Sequence, residues 1–442
     1  MVCGLVAGTQ RPTTITARTT PDVAGGPMAG PKIRTTGVLL RAGSGVGGAR
    51  LDTSRGQNAE RGCGMADCGT MRATAAGAVL LVAMMSATAQ AGGADPAQYE
   101  ETVRKAVNYL VTKGRADDGS YSSFAGPGVT ALVTTALLRH GRSPDDPGVA
   151  GSLRYLEQFV QPDGGVHQPD TLYRNYETCL AMMCFSEANR DGRYDEILKR
   201  ATARVKDLQW DEKEGKDRSD FAYGGAGYGT HKRPDLSNTS FLVDALRTVG
   251  EGADSEAIQR ALVFVSRCQN LETEHNTTPF SARNPDGGLY YTPAAGGTSQ
   301  AGETETGGLR SYGSMTYAGL KSMIYAGVGP DDPRVQAARK WIARNYDLRS
   351  NPGMGDAGLY YYFHTFAKAL DALGGETFTD QRGEAHDWRS ELVAALSARQ
   401  QADGSWINEN PRWMEGDPNL VTGYALLALS YCRPQPPTDG AR

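Results

Sequence analysis

The sequence predicts an all-α chain of six helix pairs arranged as two concentric rings. Three observations predict it: a recurring glycine loop, an amphipathic helix before each loop, and an apolar helix after it. The loop is an acidic residue or Pro-Asp, then glycine, then an aromatic or apolar residue. It reads Asp118-Gly119-Ser120-Tyr121, Asp163-Gly164-Gly165-Val166, Asp286-Gly287-Gly288-Leu289-Tyr290 and Asp403-Gly404-Ser405-Trp406. Degenerate copies are Tyr223-Gly224-Gly225 and Asp356-Ala357-Gly358-Leu359-Tyr360. Copies spaced by roughly 45 to 70 residues point to a repeat architecture.

The helix before a loop is half-exposed. Val149, Leu153, Leu156 and Val160 share one face, with Arg154 and Glu157 off it. Asp146-Pro147 and Asp332-Pro333 place an N-cap before a proline at the first helical position. The helix after a loop is apolar nearly all round, as in Val129 to Leu138, Thr178 to Phe185, Phe241 to Leu246 and Tyr424 to Tyr431. Such helices are buried on every face. Gly141, Gly250, Gly327 and Gly374 follow them as C-caps. Six half-exposed and six buried helices make an outer and an inner ring around a central hollow. An open solenoid would need polar capping repeats. The last inner helix, Val421 to Tyr431, is too apolar for a cap.

Residues 1–70 lack helical or strand period and carry almost no aromatic side chain. They read as disordered or as a mis-assigned upstream segment. Met71-Arg72 opens a positive n-region, Ala75 to Met85 is a short apolar core, and Ala87, Ala89 and Ala91 close it. Residues 71–91 therefore read as a secretory signal, with translation starting at Met65 or Met71. An Arg-rich targeting leader is the alternative. The folded part is 92–442, secreted or periplasmic.

The full chain has 442 residues, 39% hydrophobic and 22% charged, enough for a large core. Its formal net charge is −4, which leaves no basic footprint for nucleic acid. No apolar run reaches the ~20 residues that span a bilayer. Cys179, Cys184, Cys268 and Cys432 read as small buried hydrophobes rather than a disulfide scaffold.

The helix-then-loop pattern resembles the QW repeat of the squalene cyclase and protein prenyltransferase superfamily. The best copy runs from Leu392 through Arg399-Gln400-Gln401 to Trp406; others are Tyr155 to Gly165 and Phe264 to Gly288. The resemblance covers about residues 97–433. It implies an (α/α)6 toroid with a ligand cavity at its centre and a terpene cyclase-like activity on an isoprenoid or other apolar ligand. The cyclase acid motif, Asp-x-Asp-Asp-Thr, falls on Asp235-Leu236-Ser237-Asn238-Thr239. Asp235 and Thr239 fit, but Ser237 stands at the proton donor, and a serine hydroxyl cannot protonate an alkene. Prenyltransferases hold zinc through Asp, Cys and His. Here only His364 has a counterpart, and Arg310 to Ser314 supply no ligand, so no metal and no cofactor is expected. The thioester signature of complement-like toroids, Cys-Gly-Glu-Gln, is absent.

Residues at the heads of the inner helices should face one mouth of the cavity. Asp235 and His364 are the catalytic candidates. Tyr173, Tyr176, Glu177, Tyr228, Tyr312, Tyr317, Tyr362 and Trp413 are the ligand-binding candidates, with His231, Asn238 and Tyr361 beside them. An aromatic lining with few polar groups suits an apolar or ring-shaped small molecule. A membrane surface is a second partner class. Tyr360 to Phe363 cannot all face one way on a helix, so at least two are packing residues. A non-catalytic binding or scaffold toroid is the alternative function. A carbohydrate-active toroid is the third, with Glu177, Glu303, Glu305 and Asp235 as available carboxylates.

Overall fold

The computed structural model describes residues 95–229 and 233–434. The upstream stretch, the expected signal segment 71–91 and His231 lie outside the described residues.

Twelve α-helices are present among the described residues. In chain order they are α1 (Pro96–Tyr109), α2 (Pro127–Arg139), α3 (Pro147–Glu157), α4 (Arg174–Ala188), α5 (Asp195–Asp207) and α6 (Leu236–Thr248). The second half holds α7 (Glu256–Arg267), α8 (Gly313–Tyr325), α9 (Pro333–Arg344), α10 (Leu359–Leu373), α11 (Trp388–Ser397) and α12 (Pro418–Leu429). The even-numbered helices form the inner ring: each packs against the next, and α12 packs back on α2. The odd-numbered helices cover them, and α1 packs on α11 and α12. The ring is closed, so the (α/α)6 toroid predicted from the apolar last helix stands and the solenoid does not. No described helix is long and apolar enough to cross a membrane.

The repeated loop works by one mechanism. Gly119, Gly164, Gly224, Gly287 and Gly404 all have φ between 80° and 94°. A Cβ at each would meet backbone of the next outer helix: Gly151, Arg200, Arg260, Ala337 and, for Gly404, Lys105 of α1. The last loop thus seats on the first helix, which is how the ring closes. A glutamine clamps three of these contacts. Gln209 Nε2 donates to the Gly224 and Ala257 carbonyls at 2.8 and 2.9 Å. Gln269 does the same with Gly287 and Arg334, and Gln400 with Gly404 and Thr102. On the inner side a threonine hydroxyl accepts from the backbone N–H after the glycines. Thr130, Thr178, Thr239, Thr316 and Thr422 take Tyr121, Val166, Ala226, Leu289 and Trp406, at 2.9 to 3.1 Å.

Asp332 caps α9 through the Arg334 N–H at 2.8 Å. Asp146 departs from the expected cap: its carboxylate turns back to the Ser143 N–H and to Arg142. The start of α3 therefore rests on Pro147. A short antiparallel hairpin, β1 (Phe378–Thr379) and β2 (Ala385–His386), lies between α10 and α11. The four cysteines of the described residues are free and buried.

Candidate functional site: the toroid axis and its mouth

Each inner helix turns one stripe, spaced three and four residues apart, toward the axis. On α10 the stripe is Tyr361, His364, Thr365 and Lys368; on α6 it is Ser237, Ser240, Phe241 and Asp244. The inner helices run parallel, because residues in the same half of each helix meet across the axis. Asp244, Lys321 and Lys368 meet in the second halves of α6, α8 and α10, and the Tyr176 hydroxyl near the head of α4 lies 3.1 Å from that of Tyr424, midway along α12. Ser237 and Tyr361 hydroxyls lie 3.0 Å apart, near the heads of α6 and α10.

The head-end layer is aromatic. Tyr176 meets Phe241 edge-on at 4.9 Å, Phe241 stacks on Tyr361 at 6.2 Å, and Tyr361 meets Tyr424 at 5.8 Å. Tyr173 and Tyr228 extend this layer toward the mouth, 5.1 Å apart and perpendicular. The tail-end layer is charged. Asp244 receives Lys321 at 2.6 Å and Lys368 at 2.8 Å, all three buried. Lys321 also donates to the Ser240 hydroxyl at 2.6 Å. Burial pushes the Asp244 carboxyl up, but the two ammonium groups outweigh it and hold it down at about 2. Burial pulls Lys321 down to about 8 against the attraction of Asp244. His364 sits between the layers, 5.9 Å from Tyr424. Burial first, then the Lys368 charge, hold its imidazole neutral, well below its ordinary range. Its Nδ1 has no hydrogen-bond partner.

Among the described residues, two cavities lie between the axial stripes, one around Asp244, Lys321 and His364, the other around Arg139, Met183 and Leu427. Each measures about 10 Å³. That is roughly the room one water needs, so neither accepts an isoprenoid.

Three buried carboxylates sit at the heads of inner helices. Asp235 caps α6, accepting from the Asn238 N–H at 2.9 Å and its side-chain amide at 2.8 Å. Burial raises its carboxyl to about 6 against these bonds. Glu177 accepts from the Gln168 N–H at 2.9 Å and the Thr171 hydroxyl at 3.1 Å, and burial raises it to about 7. Glu415 accepts from Asn408 and from the Tyr360 and Tyr361 N–H groups at the start of α10; burial raises it to about 7. Each acid is engaged in holding a helix start or the loop before it.

The expected site residues fall into two sets. Tyr173, Tyr176, Glu177, Tyr228, Asp235 and Trp413 gather at the heads of the inner helices. Trp413 covers Gly358 at the α10 start, under the Arg412 guanidinium at 4.1 Å. Tyr317 and Tyr362 do not face the axis. They meet each other at 5.6 Å and both meet Phe366, which packs on Trp388 of the outer ring. The Tyr362 hydroxyl donates to the Asp347 carbonyl beyond α9. Helical rotation explains this: Tyr361 and Tyr362 are 100° apart, and only Tyr361 shares the stripe of His364 and Lys368. Tyr312 is the buried N-cap residue of α8, beside Gly353. Thr239 matched the cyclase acid motif, yet it is one of five equivalent threonines that anchor repeat loops. Glu303 and Glu305 are exposed on the loop before α8 and form no facing pair with buried Glu177 or Asp235.

Sequence reasoning missed the Asp244–Lys321–Lys368 cluster. Its signal was present: a charged residue in the second half of three helices that are otherwise apolar all round.

No family model and no curated protein matches this chain. Among solved structures, the chain is similar to the type II terpene cyclase MstE from Scytonema. That match has 12% identity and a TM-score of 0.46 and covers 76% of this chain and 98% of that one. It is also similar to a polysaccharide lyase, at 10% identity and TM-score 0.45 over 76% and 96% of the two chains. A family 88 glycosyl hydrolase from Bacteroides vulgatus matches at 13% and 0.44 over 75% and 98%. The class defined by the ring contacts is an α/α toroid built of helix pairs. A fold of this kind does not by itself define an activity.

Proposed function

We propose that the protein is a binding toroid that takes an apolar, isoprenoid-like small molecule at the mouth formed by the inner-helix heads. The observation that carries this reading is where apolar side chains stand exposed. Phe124 is 77% exposed, Leu172 55% and Ile407 42%, the large exposed hydrophobics among the described residues. They lie in the loops leading into α2, α4 and α12, which are neighbours in the ring. Clustered exposed apolar residues mark binding surfaces. The same three loops hold non-glycine residues at positive φ: Ser122, Asp170, Trp413 and Met414. Such strain persists where the surroundings enforce it and clusters at ligand sites.

Acid-started cyclisation is not supported. Ser237 spends its hydroxyl on Tyr361, and both Asp235 oxygens accept hydrogen bonds from Asn238. Export, expected from residues 71–91, belongs to the proposal, and N-terminal sequencing of the mature protein tests it.

The binding test uses squalene with the full chain, read by quenching of tryptophan fluorescence. Lipid extraction and mass spectrometry would identify what co-purifies. Replacing Phe124, Leu172 and Ile407 by serine should weaken squalene binding at least tenfold. Equal binding by that variant would overturn the mouth. Cyclised product from wild type, lost in Asp235→Asn, would show an enzyme instead. Sedimentation with anionic phosphatidylserine vesicles separates a membrane-surface partner from a bound molecule.

A further inference from the structure

The hairpin between α10 and α11 brings together three metal-ligating groups that none of the sites above uses. Ligand atoms of Asp380, Glu384 and His386 all lie within 4.8 Å of one another. The turn is built to hold Asp380: its Oδ1 accepts from the Arg382 N–H at 2.8 Å and the Glu384 N–H at 3.0 Å. Oδ2 is left pointing at His386 Nε2, 3.7 Å away.

His386 is 8% exposed, and its Nε2 has no hydrogen-bond partner. Its other nitrogen is engaged: Nδ1 lies 2.9 Å from Glu391 Oε1. A carboxylate only accepts, so Nδ1 carries a proton, and the neutral ring then presents the Nε2 lone pair toward Asp380. Glu391 is itself fixed by the Tyr346 hydroxyl at 2.8 Å, and the Tyr346 ring stacks on the imidazole at 4.1 Å. A carboxylate behind the imidazole, setting its tautomer and ring plane, is the usual support of a metal-binding histidine.

We propose that Asp380, Glu384 and His386 form a zinc site, with Glu391 as the residue that positions the histidine. At bond lengths of about 2.0–2.2 Å, two tetrahedral ligand atoms lie roughly 3.4 Å apart. The 3.7 Å between Oδ2 and Nε2 needs only a small contraction. Glu384 is exposed and closes by side-chain rotation. One imidazole with two carboxylates suits zinc better than magnesium or calcium, which prefer all-oxygen sets. The competitor is Arg382, which reaches Asp380 Oδ2 at 2.8 Å and Glu384 Oε2 at 3.1 Å. Its side chain is 71% exposed and that of Asp380 only 5%, so the zinc charge would take the place of the guanidinium beside a buried carboxylate. The ion would tie the hairpin turn to β2, whose His386 is held by Glu391 of α11.

Calorimetric titration of the metal-stripped full chain with zinc tests the site. Wild type should bind with one zinc assignable to the hairpin. His386→Ala should remove that equivalent, and Glu391→Gln should weaken it about tenfold. Glu384→Gln alters an exposed residue and covers the case in which His386→Ala fails to fold; it too should weaken binding at least tenfold. Arg382→Ala should tighten it several-fold by removing the competing cation. No binding by wild type at millimolar zinc overturns the proposal. So does binding unchanged in both Glu384→Gln and His386→Ala, which would place the metal elsewhere.

Discussion

The two halves of the toroid axis are built from the same six helices but solve opposite problems. At the heads of the helices, backbone N–H groups converge and the helix dipoles present positive ends. That end takes aromatic rings and three carboxylates, Glu177, Asp235 and Glu415, each accepting hydrogen bonds at a helix start or in the loop before it. At the tails the dipoles present negative ends. That end takes Lys321, Lys368 and Arg139, with Asp244 and Glu187 as counter-ions. The parallel arrangement of the inner ring therefore decides which charge can be buried where. The head end keeps an apolar rim facing outward, whereas Asp244, Lys321 and Lys368 at the tail end are buried. The proposed ligand binding belongs to the first region and ring cohesion to the second.

The comparison breaks most visibly at Asp244. Asp244→Asn leaves two buried ammonium groups without a counter-charge and should cost about 3–5 kcal/mol in urea unfolding. The triple change Asp244→Leu, Lys321→Met and Lys368→Met removes the whole network and should recover most of that loss. Stability near wild type for Asp244→Asn alone would show that the cluster is not what holds α6, α8 and α10 together.

The same cluster has a pH signature. Asp244 sits at about 2, below its ordinary 3.8, so its contribution is present above that value and fades as pH falls through the interval. Lys321 sits at about 8, below its ordinary 10.5. Between those values the unfolded chain holds a proton that the folded chain lacks, so stability from this group rises with pH. Buried cysteines and tyrosines, whose thiols and phenols burial pushes up, pull the other way above about pH 9. The readout is therefore the difference between wild type and Lys321→Met, which should grow in favour of wild type from pH 8 to 10.5.

In the aromatic layer the effects are smaller. Tyr424→Phe removes the bond to Tyr176 and should cost about 1 kcal/mol. The smallest stability effect belongs to the rim: Phe124→Ser should lie within about 0.5 kcal/mol of wild type. A rim change that destabilised the fold as much as Asp244→Asn would erase the division between the two ends.

Much of this was legible in the chain. The Asp-Gly loops, the alternation of half-exposed and fully apolar helices and the apolar last helix determined a closed ring of six pairs, because these are local patterns of period and turn chemistry. Aromatic head residues such as Tyr176 and Tyr228 were also readable, since position relative to a helix start follows from the loop. Rotation about each helix was not. Tyr317 and Tyr362 share the composition and the helical turn of Tyr361, and a helix apolar all round has no polar face to mark its outer side. Only packing against Phe366 and Trp388 turned them away from the axis. Spacing across the ring was equally invisible. Asp244, Lys321 and Lys368 are separated by 77 and 47 residues in sequence, and only ring closure brings one carboxylate between two lysines. The two small axial cavities followed from that same step, because a cavity is a property of how side chains from six helices meet, not of any one of them.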